Sequence, residues 1–123
     1  MIKKIPDAEF SVMKVVWANE PPISAGVIME HLGKKKTWKV HTAISLLQRL
    51  VERGFLRTEK NGRERVYYPI VGKEDYLTFE TQNFMQVYHE NSFASFISTL
   101  YDNAKISEEE KKEIIKMLNE GGE

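Results

Sequence analysis

The chain of 123 residues contains no cysteine. Disulfides, thiolate metal sites and cysteine nucleophiles are therefore excluded, and the composition is compatible with a reducing compartment. No stretch approaches the ~18 uninterrupted apolar residues of a membrane-spanning helix. The basic start, Met1-Ile2-Lys3-Lys4, leads into no apolar run with a cleavage site. The expectation is a protein without a signal peptide, located in the cytoplasm. Histidine is scarce: His31, His41 and His89 have no motif relation to one another, and there is no His-Glu-x-x-His pattern. A glycine-rich phosphate loop is also missing. These absences argue against an enzyme and leave no residue set for a cofactor, a metal or a small-molecule ligand. Glu108-Glu109-Glu110 reads as negative charge in the first turn of a helix, where it favours the helix dipole, rather than as a metal site.

The net charge is zero, but it is not evenly spread. Residues 1–72 carry 13 Lys and Arg against 7 Asp and Glu, a net of +6, whereas residues 73–123 carry 5 against 11, a net of −6. A basic half that meets an anion and an acidic half with another task are the implied division. With 41% hydrophobic residues there is enough for a core, but in a chain of this length only for one domain or a small domain with an appendage.

Hydrophobic spacing places the elements. Phe10, Met13, Val16 and Trp17 mark one face of a first helix over residues 7–18, which Pro21-Pro22 closes. Ile23 reads as a short strand and Ser24 as the N-cap of a second helix through Leu32, with Gly33 at its C′ position. A third helix begins between Thr37 and Val40 and ends at Arg53, with Gly54 past its end. Its expected buried set is Val40, Ala43, Ile44, Leu47, Leu50 and Val51. The expected exposed set is His41, Thr42, Ser45, Gln48, Arg49 and Glu52. The period then changes from helical to alternating. Residues 55–59 and 63–68 flank Lys60-Asn61-Gly62, and Asn-Gly predicts a two-residue hairpin turn.

A two-faced helix, a glycine stop and a basic hairpin in succession is the arrangement by which a winged helix-turn-helix reads DNA. Cations displace counterions from phosphates, and short polar side chains near the start of a helix reach base edges in the major groove. The DNA-contacting candidates are Lys36, Lys39, His41, Thr42, Ser45 and Arg49, with Arg63 and Arg65 on the second wing strand. Arg63 and Arg65 share parity, so both are expected on one face of the hairpin. Taken singly, most of these positions also suit a solvated helix face, and His41 more than Thr42 or Ser45. Trp17, and Trp38 at the start of the third helix, read as packing residues rather than as base-stacking ones.

The acidic half reads as three helices: residues 73–90, 93–101, and a last one opened by Ser107 and Glu110 as a capping box. Its aromatics, Tyr76, Phe79, Phe84, Tyr88, Phe93, Phe96 and Tyr101, are too many for three isolated helices to bury. A symmetric dimer, matching a palindromic site, hides them economically. The alternative is that the helices pack back on the first half as a monomer. The candidate dimerisation residues are Leu77, Phe84, Tyr88 and Phe93, then Phe96, Ile97 and Leu100, and in the last helix Ile114 and Leu118.

The sequence resembles the penicillinase-repressor family, the BlaI/MecI-type transcriptional repressors. The resemblance is carried by residues 5–17 (Ile-Pro-Asp-Ala-Glu-Phe-Ser-Val-Met-Lys-Val-Val-Trp), Pro22-Ile23-Ser24-Ala25 and Lys36-Thr37-Trp38. It continues in Thr42-Ala43-Ile44-Ser45-Leu46-Leu47-Gln48-Arg49-Leu50, Gly54-Phe55-Leu56 and residues 62–69 (Gly-Arg-Glu-Arg-Val-Tyr-Tyr-Pro), and is looser beyond. It implies a homodimeric repressor that binds a palindromic operator in double-stranded DNA and controls resistance genes, against β-lactams or other agents. It also implies inactivation by proteolysis or another signal, with a membrane sensor protease or its effector as a partner. By register the family's cleaved Asn-Phe bond would fall at Thr99-Leu100, a departure in both residues. Lys39-Val40 stands where the family often has Ser-Pro, which implies a different helix cap and operator preference. The cysteine-rich motif of the copper-responsive branch has no counterpart here.

The expected fold is thus mainly α with a small β-hairpin, a winged-helix DNA-binding domain over residues 1–71 and a helical dimerisation domain over 72–123. The competing function is a winged helix that docks on protein and never binds DNA, a reading against which the +6 half argues.

Overall fold

The computed structural model describes residues 2–35, 39–101 and 106–121. Its elements in chain order are α1 (Asp7–Trp17), β1 (Ile23–Ser24), α2 (Ala25–Lys35), α3 (Val40–Glu52), β2 (Leu56–Asn61), β3 (Glu64–Pro69), α4 (Lys73–His89), α5 (Phe93–Tyr101) and α6 (Glu108–Gly121). The strands form one antiparallel sheet in the order β1-β3-β2. The protein is mainly helical with a small sheet, as its periodicity predicts. By contacts it divides into two compact units, Met1–Thr81 and Gln82–Glu123.

The core of the first unit is where three amphipathic helices and the sheet converge. Val12, Met13 and Val16 of α1 meet Ile28 and Leu32 of α2, Leu46, Leu47 and Leu50 of α3, and Phe55 and Leu56 at the start of the hairpin. The buried positions of each helix recur at three- and four-residue steps, so each presents one stripe. On α1 that stripe is turned from the expected one: Val12 is fully buried while Phe10 and Trp17 are only partly so. The Trp17 indole N–H donates to the Val71 carbonyl at 3.0 Å, which holds the ring in a packing role. Glu9 is also inside, only 1% exposed. Its carboxylate accepts from the Arg53 guanidinium, with Nε at 2.6 Å and Nη2 at 3.4 Å. This ion pair ties α1 to the end of α3.

The α2 N-terminus is capped as expected, with the Val27 N–H donating to Ser24 Oγ at 3.2 Å. Gly33, however, does not end the helix, which continues to Lys35. A glycine inside a helix costs only ~1 kcal/mol, and packing of Leu32 outweighs it. At α3 the stop is the expected one. Gly54 takes φ +82°, the Gly54 N–H donates to Val51 O and the Phe55 N–H donates to Leu50 O, a Schellman termination.

The aromatic residues of α4 divide between the units. Tyr76 is buried and stands within 5.5–6.3 Å, centroid to centroid, of Phe10, Trp17, Phe55 and Phe79. Its hydroxyl accepts from the Ile5 N–H at 3.1 Å. Burial, with some help from the charge of Glu80, holds this phenol above its ordinary pKa. The start of α4 is therefore part of the first unit's core, and α4 runs across the division after Thr81.

In the second unit, Phe84, Tyr88, His89 and Phe96 form a ring cluster, with His89 Nδ1 and Ser95 Oγ 2.9 Å apart. Ser107 Oγ accepts from the Glu110 N–H at 3.1 Å, the cap expected of the last helix. No residue of α6 is buried.

Candidate nucleic-acid interface

The candidate interface is built on α3. Ala43, Leu46, Leu47 and Leu50 fix one side of this helix in the core. His41, Thr42, Ser45, Gln48, Arg49 and Glu52 are all exposed on the other side, as the spacing predicts. Two residues expected in the buried stripe are not there: Val40 is 60% and Ile44 47% exposed, while Leu46, absent from the expected stripe, is buried. The stripe runs through Ala43, Leu46, Leu47 and Leu50, and Ile44 lies outside it. α3 packs against α1, α2 and β2, and this tertiary packing, not the spacing alone, set its buried side.

The first turn of α3 favours an anion. Lys39 is its N-cap, in extended backbone and without a side-chain cap, and no acidic residue lies in the first turn. Thr42 N and Ala43 N are satisfied by the Lys39 carbonyl. The amides before them point out along the positive end of the helix dipole, where a phosphate fits. A side-chain cap of the Ser-Pro type is thus missing here, as the Lys39-Val40 departure implies. Lys36 falls outside the described residues, with Thr37 and Trp38.

The wing differs from expectation by one residue. The β2–β3 register pairs Asn61 with Glu64, so the two loop residues are Gly62 and Arg63, not Asn61 and Gly62. Gly62 has φ +70° and no positive φ falls on Asn61 or Arg63. Glycine alone at the first central position is the signature of a type II′ turn, whose twist suits a hairpin. Arg63 is consequently at the tip of the wing and Arg65 within β3, so they do not share a strand face. The remaining wing arginine, Arg57, is engaged locally: it pairs with Glu59 and its guanidinium lies 4.0 Å from the Tyr68 ring centroid. Arg53 is engaged with Glu9.

Between α3 and the wing runs an open groove of about 460 Å³ lined by Ile44, Gln48, Val51, Glu52, Thr58, Arg65 and Tyr67. Its helix side carries exposed side chains of α3 and its other side the base of the wing. The structure therefore brings Lys39, His41, Thr42, Ser45 and Arg49 together on one helix, with Arg65 across the groove and Arg63 at the tip. Such a surface can hold a polyanion and present donors, acceptors and methyl groups to it. Among the described residues, no group of three or more His, Asp or Glu is placed to hold a metal ion.

The candidate dimerisation residues are spread unevenly. Leu77 belongs to the first unit, where it lines a cleft with Phe10, Lys14 and Trp17. Phe96 is half-buried, edge-on to Phe84 and His89, and so is occupied within the second unit. Tyr88, Phe93 and Leu118 are 69%, 74% and 65% exposed. Ile97, Leu100 and Ile114 border an apolar hollow of about 350 Å³ with Ile106 and Ile115. Thr99 and Leu100 lie in the last turns of α5, with Thr99 Oγ1 donating to the Ser95 carbonyl at 2.9 Å. No described helix is long and apolar enough to cross a membrane.

Comparison with known proteins gives the same picture for most of the chain. The family model described as "Penicillinase repressor" matches residues 5–120. The penicillinase repressor of Bacillus licheniformis is 33% identical over 122 residues, covering 97% of this chain and 94% of that protein. The methicillin resistance regulatory protein MecI of Staphylococcus aureus (strain N315) is 28% identical over 116 residues, 94% of each chain. Among solved structures, the DNA-binding domain of the repressor BlaI superposes with a TM-score of 0.54 at 38% identity, over 59% of this chain and 88% of that one. The monomeric form of Bacillus licheniformis BlaI in complex with the blaP half-operator gives 0.53 at 38%, over 62% and 92%.

Proposed function

Because the chain belongs to the penicillinase repressor family, we propose that it is a DNA-binding transcriptional repressor of resistance genes that occupies a palindromic operator as a homodimer. The observation that carries this reading is the exposed polar face of α3, acid-free at its start, beside an arginine-bearing wing on the basic half of the chain. The N-terminal half of α3 enters the major groove, Thr42 and Ser45 meet base edges, and Arg49 reaches a base or phosphate one turn on. His41 lies on the same exposed face. Lys36 and Lys39 neutralise phosphates at the helix start, and Arg63 and Arg65 add wing contacts to the backbone or minor groove. Repression is steric: a bound dimer occludes the promoter. No chemical step is involved.

Support for the dimer is the apolar surface of the second unit, where α6 buries nothing and Tyr88, Phe93 and Leu118 face outward. A half-operator complex of a relative also matches a protein with one reading head per subunit. The repressor works in the cytoplasm. It is released by proteolysis near Thr99-Leu100, prompted by a membrane sensor protease or its effector, or by another signal. The test is binding of the full-length chain to duplexes from its own promoter region, followed by fluorescence anisotropy against a scrambled duplex. A site bound at least a hundredfold more tightly than the scrambled duplex is expected. Equal binding to both, at every salt concentration, would sink the repressor reading and leave a winged helix that docks on protein.

A further inference from the structure

Val40 and Ile44 are the anomaly of the reading helix. Both are aliphatic, both are largely exposed, and they stand one turn apart on α3. Ile44 sits among polar side chains, with His41 a turn before it, Ser45 beside it and Gln48 a turn after, all exposed. Apolar surface left in water is unfavourable, so a partner that covers these side chains gains from doing so. The partner of this face is already set by its surroundings: an acid-free helix start and Arg65 across the groove from Ile44. The chemistry left for an aliphatic side chain in a major groove is the 5-methyl group of thymine, the one apolar feature on a base edge there.

We infer that Ile44, with Val40 beside it, reads thymine methyl groups in the operator half-site, so that part of the sequence specificity of this protein is apolar. This rests on the repressor reading above. The geometry is consistent with it on two counts. Both residues lie in the first two turns of α3, the part of a recognition helix that reaches base edges. Ile44 also lines the groove between α3 and the wing, with Arg65 on the wing side.

The experiment uses the tightest site that the full-length chain selects from a random duplex pool. Each thymine of the site is replaced in turn by deoxyuridine, which removes only the methyl group. Binding is measured for the wild-type chain, Ile44→Ala, Ile44→Gln and Val40→Ala. At one or two positions per half-site, deoxyuridine should weaken the wild-type chain about fourfold, the effect of one buried methyl. At a position read by Ile44, the same replacement should cost both Ile44 variants nothing. Val40→Ala should abolish a penalty at a neighbouring thymine. Thermal unfolding of the variants should stay close to wild type, since both positions are exposed. Selection of a site whose thymines can all be replaced without loss would overturn the methyl contact, as would penalties that persist unchanged in the Ile44 variants. Selection of no site at all would remove the repressor reading itself.

Discussion

At the scale of single residues, the two arginines at the end of α3 have opposite tasks although the sequence presents them as neighbours. Arg53 is bound into the fold through Glu9, whose carboxylate is 1% exposed. Removing the arginine leaves a buried carboxylate without its partner. Because the guanidinium side is 43% exposed, water screens part of that loss. Arg53→Ala should therefore destabilise the chain by about 2 kcal/mol in a urea titration, and Glu9→Leu added to it should recover a good part, a coupling that independent sites would not show. Among the described residues Arg49 has no partner of this kind, and it is exposed on the reading face. Arg49→Ala should leave stability within ~0.5 kcal/mol. It should lower operator affinity by about tenfold, and a flatter salt dependence would identify its target as a phosphate rather than a base. Affinity unchanged across a salt series would show that Arg49 does not touch DNA.

At the scale of elements, the wing is held by its turn. Gly62 sits at φ +70°, where a Cβ meets no neighbouring atom but the backbone conformation itself disfavours L side chains. Gly62→Ala should cost ~1 kcal/mol of stability, because the first central position of a type II′ turn needs a positive φ that L side chains rarely adopt. If the wing contacts DNA through Arg63 and Arg65, Gly62→Ala should also weaken operator binding in a gel shift without removing any contacting side chain. Full affinity in a variant whose stability has fallen would mean that the tip of the wing is idle. The one-residue shift of the turn has a local cause. Asn-Gly suits a type I′ turn and Gly-x a type II′ turn, and both are available in Asn61-Gly62-Arg63. The pairing of Leu56 with Pro69 through Asn61 with Glu64 selects the second. That register also puts Thr58 opposite Tyr67, with Thr58 Oγ1 donating to Val66 O at 3.0 Å.

At the scale of the molecule, the question is which apolar residues are left for a second subunit. Phe96 is a poor probe of that interface, because it is packed against Phe84 and His89 and a charge there would damage the unit itself. Leu118 is the better one, 65% exposed on a helix that buries nothing. Leu118→Asp should yield monomers in sedimentation equilibrium and reduce operator affinity, since two linked reading heads bind far more tightly than one. Its helical content by circular dichroism should be retained. A Leu118→Asp chain that remains dimeric would move the interface to the Tyr88 and Phe93 side of the second unit.

The amino-acid sequence by itself determined the helix periods, the Ser24 and Ser107 caps, the stop at Gly54, the existence of a hairpin and the split of charge, because each is a local signal that reads within a turn or two. The polar positions of α3 were legible for the same reason, and so was the family. Tertiary structure decided what depends on partners distant in the chain. It turned the buried stripe of α3 toward Leu46 and left Val40 and Ile44 outside. It carried α2 through Gly33, drew Tyr76 into the first core and matched Glu9 with Arg53 across 44 positions. In each case burial against a neighbouring element, which no local pattern encodes, decided the placement.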